Sequence, residues 1–328
     1  MSPHPLQLFA LNHSRQFGEA VAEGLGLPLG AHEEREFEDG EHKSRPLESV
    51  RDRDVYVLHA LYGQAGQSAN DKLCRLLFFL GAVKDAGAAR VTAVVPYLAY
   101  ARKDRRSKPR DPVTTRYVAA MFEAVGTDAI LTMDVHNPAA YENAFRCRTE
   151  HLEANPLLAE SIARALPGKA LTVVAPDAGG IKRAGQFRER LEKLAGAPVA
   201  AAFAEKHRSE GVLSGSLLVG DVAGRHAVIV DDLISSGSTL VRTARACRER
   251  GASGVWAVAT HAPFAADAPS VLADKALDRI IVADTVSSPR LRDPAIAEKI
   301  GVVDSAPLFA QAIQRLHGGG SITGLLAF

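Results

Sequence analysis

Ala227-Val-Ile-Val-Asp-Asp-Leu-Ile-Ser-Ser-Gly-Ser-Thr-Leu240 decides how this chain is read. Ala227 to Val230 are four apolar residues in a row, the mark of a buried strand. Asp231 and Asp232 stand at its C-terminal end. Ser235, Ser236, Gly237, Ser238 and Thr239 then make a small, hydroxyl-rich turn. A helix is predicted from about Leu240 to Arg250, stopped by Gly251. A strand that runs through such a turn into a helix start presents backbone N–H groups and the positive end of a helix dipole, which suits a phosphate. Two carboxylates beside it suit sugar hydroxyls or a hydrated cation. The stretch therefore predicts a sugar phosphate site at a sheet edge, where open α/β sheets bind ligands.

The same construction recurs on both sides. Downstream, Gly254 to Thr260 and Ile280 to Ala283 read as strands, and Pro307 to Leu316 as a last helix. Upstream, Thr172 to Pro176 is a strand, and Asp177-Ala-Gly-Gly180 opens a helix. That acid suits a metal, and those glycines suit a close approach of backbone to phosphate. Pro198 to Phe203 is a further strand, followed by Lys206 and Arg208. The glycines at 211, 215 and 220 mark a hairpin or mobile loop beyond it, and basic residues there are placed to meet transferring phosphoryl charge.

The first half alternates in the same way. Strands are predicted at Leu6 to Ala10, Asp54 to Ala60, Arg90 to Tyr97 and Ala129 to Val135. Helices are predicted at Arg15 to Leu25, Asn70 to Ala86 and Thr114 to Val125, with another at Asn155 to Ala165. Phe37-Glu-Asp-Gly-Glu41 is a turn flanked by a ring and acids, and Gly63 to Ser68 is a loop. Lys103, Arg105, Arg106, Lys108 and Arg110 form a basic run just past a strand end, a place that suits polyphosphate. Asp134-Val-His136 brings a carboxylate and an imidazole to the sheet edge, a metal candidate.

Alternating strands and helices give an α/β fold with mainly parallel sheets flanked by helices. The 328 residues fall into an N-terminal domain (1–152), a C-terminal domain (153–300) and a helix with tail (301–328) that is expected to pack back on the first. Lys and Arg number 39 against 38 Asp and Glu, so charge gives no reason to expect nucleic acid or an anionic membrane as partner. Three separated cysteines, Cys74, Cys147 and Cys247, the lack of a signal-like N-terminus and the lack of a long apolar run suggest a reduced, cytoplasmic setting.

The ordered set of sites resembles the ribose-phosphate diphosphokinase (phosphoribosyl pyrophosphate synthetase) family. It comprises Phe37 to Glu41, Val95-Pro-Tyr97 through Arg102, Asp134 to His136, Pro176 to Gly180, Lys206-His-Arg208 and Val230 to Thr239, with further matches at residues 66–71, 90–97, 259–261 and 305–308. The resemblance runs over essentially the whole chain. It implies two tandem phosphoribosyltransferase-type domains with the active site between them. It also implies transfer of the diphosphoryl group of ATP to the C1 hydroxyl of ribose 5-phosphate, giving 5-phospho-α-D-ribose 1-diphosphate and AMP.

Carried over, Asp231 and Asp232 hold the ribose hydroxyls, and Ser235, Ser236, Gly237, Ser238 and Thr239 grip the 5-phosphate. Lys206 and Arg208 are the catalytic pair. Arg102 and Lys103 meet the ATP phosphates, while Phe37, Asp39 and Glu41, contributed by a neighbouring subunit, read adenine. His136 and Asp177 are the Mg²⁺ positions. A homo-oligomer, dimer or hexamer, follows from the shared site. The chain departs from the common bacterial pattern at Ser235 (usually Asp), Ser238 (usually Gly) and Lys103 (usually Gln). Ser238 is expected to be strained if its φ is positive. The alternative within the family is a non-catalytic regulatory paralogue, which is expected to lose the Lys/Arg pair or the metal positions. All four are present.

Overall fold

The computed structural model describes residues 4–326 except 210 and 211, and the backbone alone over 205–217. The chain divides into two units, Met1–Glu153 with Ser305–Ala327, and Ala154–Asp304.

The first unit contains, in order, β1 (Leu6–Ala10), α1 (Arg15–Leu25), β2 (His32–Glu36), β3 (His42–Pro46), β4 (Asp54–Leu58), α2 (Ala69–Asp85), β5 (Arg90–Val95), α3 (Thr114–Ala124), β6 (Ala129–Met133), α4 (Pro138–Ala144) and β7 (Arg148–Leu152). Its main sheet runs β1-β4-β5-β6-β7, and every pairing is parallel. Both faces are covered, which is why β4 and β6 are apolar or buried at every position rather than alternating. The core gathers Val55, Val57, Leu76, Leu80, Val91, Ala93 and Phe122.

The second unit contains α5 (Asn155–Ala165), β8 (Leu171–Ala175), α6 (Ile181–Ala195), β9 (Ala200–Ser209), β10 (Val212–Gly220), β11 (His226–Leu233), α7 (Ser238–Glu249), β12 (Gly254–His261), α8 (Ala268–Leu272), β13 (Arg279–Ala283) and β14 (Ile300–Val303). The strand order is β10-β9-β8-β11-β12-β13-β14, parallel except for the β9–β10 hairpin. From β8 the chain adds β9 on one side and β11 on the other. The β8–β11 boundary is therefore the switch point, where helices leave on opposite faces and a crevice opens.

The last helix, α9 (Ala306–His317), belongs to the first unit. It packs on α1, with Phe17 and Phe309 edge to face at 5.5 Å and Gly24 leaving room for Ala310. Its end is held electrostatically. His317 Nδ1 lies 2.7 Å from the buried Asp54 carboxylate, and Arg90, paired with the same carboxylate, donates to the Leu316 carbonyl at 3.3 Å.

Three expectations need correcting at element level. β11 does not stop at Val230. It runs through both aspartates to Leu233, paired there with β12 alone, because the β8 partner residues end at Val174 opposite Ile229. Helix α7 starts at Ser238, two residues earlier than expected. The strand expected at Pro198 to Phe203 runs instead from Ala200 to Ser209, and it pairs antiparallel with β10 in a hairpin, one of the two forms expected there, with an irregular register between Leu213 and Ser216.

Candidate active site

The crevice at the switch point of the second unit is lined by the acids of β11. Beyond Ile229 that strand has no neighbour on the β8 side. Arg183, in the first turn of α6, occupies that side, with one guanidinium nitrogen 3.6 Å from Asp231 Oδ1 and another 3.6 Å from Asp232 Oδ2. The acids sit in unequal settings: the Asp231 side chain is 24% exposed and that of Asp232 is 6% exposed. Burial, together with a hydrogen bond and the negative charge from Asp232, pushes the Asp231 carboxyl up to about 7, and Arg183 opposes the rise. Two adjacent carboxylates that cannot both ionise freely are poised to take hydroxyl donors or a cation.

The turn that follows is anchored at its start by two backbone hydrogen bonds. Ile234 N–H donates to the His261 carbonyl at 2.8 Å, and Ala265 N–H to the Ser235 carbonyl at 3.0 Å. Gly237 has φ +80°, and a Cβ there would lie 2.4 Å from Leu272 Cδ2. Glycine is thus required on two grounds, backbone and space. Ser238 is not the strained residue: it is the first residue of α7, and the left-handed conformation falls on Gly237. Ser236 Oγ lies 3.1 Å from Ser238 Oγ, so two hydroxyls meet at the helix start. The first turn of α7 holds no acid, leaving the N-terminal N–H groups electrostatically open to an anion.

Asp177 follows β8 at the same sheet edge. It caps the turn into α6, accepting from Gly180 N–H at 3.2 Å, and stays part exposed. Lys206 and Arg208 lie on β9, with backbone partners Ser216 and Leu213. Their side chains fall outside the described residues.

In the first unit, Phe37 to Glu41 is the tip of the β2–β3 ribbon. Phe37 N–H donates to the Glu41 carbonyl (2.8 Å), Glu41 N–H donates to Asp39 Oδ1 (3.0 Å), and Gly40 takes φ +89°. The Phe37 ring is 41% exposed and carries Arg35 at 5.2 Å from its centroid. Arg102 is exposed in the loop after β5. That loop is anchored by Tyr100, whose φ is +64°, whose hydroxyl donates to Asn70, and whose carbonyl accepts from Thr115 Oγ1 at 2.9 Å. Lys103 is already engaged: its ammonium lies 2.9 Å from Asp111, which also accepts from Ser107 and Lys108 N–H.

His136 is exposed at the bend after β6. Two contacts place that bend. Asn137 donates to Asp104 at 2.7 Å, joining it to the Arg102 loop, and Val135 N–H donates to His151 Nε2 at 3.1 Å. Burial lowers the His151 pKa and so favours the neutral, accepting ring.

The sequence reading therefore found the acids and the turns but missed Arg183, Asp104 and His151. Only Arg183 had a signal, as the second of the two basic residues directly after Asp177-Ala-Gly-Gly-Ile. Asp104 lay inside a run read for its cations, and His151 lies on β7, a strand that was not anticipated.

Two open α/β units, one with paired acids and a glycine turn at its switch point, define a chain of phosphoribosyltransferase-type architecture. The family model for the N-terminal domain of ribose phosphate pyrophosphokinase matches residues 6–126, and that for the phosphoribosyl synthetase-associated domain matches residues 213–327. A ribose-phosphate pyrophosphokinase of Caldanaerobacter subterraneus subsp. tengcongensis is 36% identical, covering 98% of this chain and 97% of its own. Ribose-phosphate pyrophosphokinase A of Dictyostelium discoideum is 33% identical, covering 98% of both. The crystal structure of phosphoribosylpyrophosphate synthetase from Mycobacterium smegmatis superposes with a TM-score of 0.86, at 31% identity, over 96% of this chain and all of that one. The chain belongs to the ribose-phosphate pyrophosphokinase family of enzymes.

Proposed function

We propose that this enzyme transfers the diphosphoryl group of ATP to ribose 5-phosphate. The C1 hydroxyl oxygen forms a bond to the β-phosphorus, the bond from that phosphorus to the α-phosphate oxygen breaks, and the hydroxyl proton is released. The products are 5-phospho-α-D-ribose 1-diphosphate and AMP. The observation that carries the reading is the strand that holds Asp231 and Asp232 side by side and runs through the Gly237 turn into α7. Within it, the turn from Ser235 to Thr239 takes the 5-phosphate, and the two acids accept from the ribose hydroxyls. Arg183 keeps those carboxylates turned into the crevice.

Phe37 supplies a stacking face for adenine, and Asp39 and Glu41 accept from its amine. Arg102 and Lys103 meet the phosphates of ATP. For Lys103 this requires sharing its ammonium with Asp111. Lys206 and Arg208 stabilise the charge of the diphosphoryl group in transit. In this reading Phe37, Asp39 and Glu41 serve the site of a neighbouring copy, which makes the enzyme a homo-oligomer, a dimer or a hexamer.

Mg²⁺ is the metal of this reading, held by Asp177 and His136. No group of three or more His, Cys, Asp or Glu converges among the described residues. Mg²⁺ keeps several waters and leans on substrate phosphates, so one carboxylate oxygen fits it. An imidazole is a softer donor, better suited to reach the cation through water. When bound, the cation neutralises charge on the ATP oxygens. Among the described residues, no helix is long and apolar enough to cross a membrane.

The test is direct: protein, ATP, Mg²⁺ and ribose 5-phosphate are expected to yield AMP and the diphosphate product in equal amounts. Release of ADP would defeat the assignment. No turnover with a well-folded protein would favour the non-catalytic paralogue.

A further inference from the structure

The proposed reaction gives no role to the residues that connect β13 to β14. They meet the segment behind the 5-phosphate turn at three places, in chain order. Thr285 Oγ1 lies 2.8 Å from His261 Nδ1 and donates to the Thr260 carbonyl at 3.2 Å, and the His261 carbonyl accepts from Ile234 N–H. Arg290 donates to the Phe264 carbonyl at 2.7 Å, and the next residue, Ala265, donates its N–H to the Ser235 carbonyl. Lys299 donates to the carbonyls of Leu272, Ala273 and Asp274, at 3.4, 3.0 and 2.7 Å, and the Leu272 side chain fills the space that a Cβ at Gly237 would need. The three contacts are thus carried to Ile234, Ser235 and Gly237 in turn.

The base of this brace is fixed. Ser288 is buried and its hydroxyl accepts from Arg290 N–H at 3.3 Å, while Lys299 directly precedes β14, whose Ile300 pairs with Ile280 of β13. The segment it holds has less of its own. α8 is five residues long, and a helix that short leaves its last carbonyls without intrahelical donors. Lys299 supplies donors there, a cation at a helix C-terminus. Arg245 of α7 pairs with the Asp274 carboxylate, so the end of α8 is held from α7 as well as from Lys299. The placing of these contacts matters for binding. A phosphate turn works through N–H groups already in position, and affinity is lost when the ligand must first order them.

We propose that Arg290 and Lys299 are positioning residues for ribose 5-phosphate. From the β13–β14 connection they hold segment 264–274 against the turn at 235–239, and so fix the N–H groups that meet the 5-phosphate. Both act through backbone carbonyls of that segment and not on the substrate itself. This role rests on the reading of the turn as the 5-phosphate site. Its effect is confined to one substrate, because the residues assigned to ATP, Phe37, Asp39, Glu41, Arg102 and Lys103, all belong to the first unit.

Steady-state kinetics of the full chain in its native assembly test it, with Lys299→Met and Lys299→Arg beside wild type. Lys299→Met keeps the aliphatic stem and removes the donors. Its KM for ribose 5-phosphate is expected to rise about fivefold or more, with KM for ATP and saturated turnover within about twofold of wild type. Lys299→Arg can donate to the same carbonyls and is expected to recover most of that loss. A role in stability alone would lower the melting temperature and the active fraction and leave both KM values in place. Unchanged KM for ribose 5-phosphate in Lys299→Met overturns the proposal, and so does an equal rise for both substrates. Should Lys299→Met not fold, Arg290→Met gives the same readout, with the same two outcomes. Calorimetry with ribose 5-phosphate, Mg²⁺ and a non-hydrolysable ATP analogue separates this proposal from the reaction. If wild type binds the sugar phosphate but forms no product, the reaction fails, and weaker binding by Lys299→Met still upholds the brace while equal binding overturns it. If wild type does not bind it, both fail.

Discussion

Asp231 and Asp232 are adjacent in sequence and sit in unequal settings. Asp232 is the more buried acid, next to an arginine that faces both. Asp232→Asn is expected to raise KM for ribose 5-phosphate tenfold or more and to leave that for ATP nearly unchanged. Equal weakening of both would place the residue elsewhere. Asp231 makes a pH prediction. Its folded pKa, about 7, stands above the ordinary value of 3.8. Between those values the native state binds more protons than the unfolded one, so this group's contribution falls as pH rises and levels off above 7. Melting curves of the ligand-free protein are expected to show Asp231→Asn gaining on wild type from pH 5 to 7 and holding that gain at pH 8. A gain that shrinks with rising pH would reverse the sign. For Lys206→Ala, turnover is expected to drop about a hundredfold or more, the usual cost of losing a transition-state donor, with ATP affinity little changed. Unchanged turnover would remove Lys206 from the chemistry.

At the scale of elements, the turn before α7 is constrained by both backbone and space. Gly237→Ala meets both a positive φ and the Leu272 side chain, and is expected to destabilise the protein by about 1–3 kcal/mol. It is also expected to weaken ribose 5-phosphate more than ATP, measured by chemical denaturation and by KM. A fully stable variant would mean that the turn relaxes freely. This turn was readable because its signals are local: an apolar run, acids, small residues and a closing glycine. The β2–β3 ribbon was not. His32–Glu36 and His42–Pro46 are almost wholly polar, so no period-two pattern marks them. They pair with each other apart from the main sheet, and β3 packs on α2. For Arg148–Leu152 and Ile300–Val303 the obstacle is different. These are edge strands, one polar and one of four residues, and their pairing depends on a neighbour distant in sequence.

For the whole molecule, the alternation of strands and helices was enough to give the fold class, because parallel sheets covered on both faces force apolar strands. Strand order was not readable in that way. The switch point at β8 and β11, which locates the crevice, and the placing of Arg183 in it emerge only when β9 and β11 settle on opposite sides of β8. The unit division sends α9 back to the first unit, where Phe309 meets Phe17 and His317 meets Asp54. Removing divalent metal with EDTA is expected to abolish turnover, and Mg²⁺ is expected to restore it. Full activity in EDTA would exclude the Asp177 and His136 roles.

The most direct measurement follows one phosphorus. ATP labelled with ³²P at the β position is mixed with ribose 5-phosphate, Mg²⁺ and enzyme, and the products are separated. The expected result is label in 5-phospho-α-D-ribose 1-diphosphate and unlabelled AMP. Label remaining in a nucleotide, as ADP, would contradict diphosphoryl transfer.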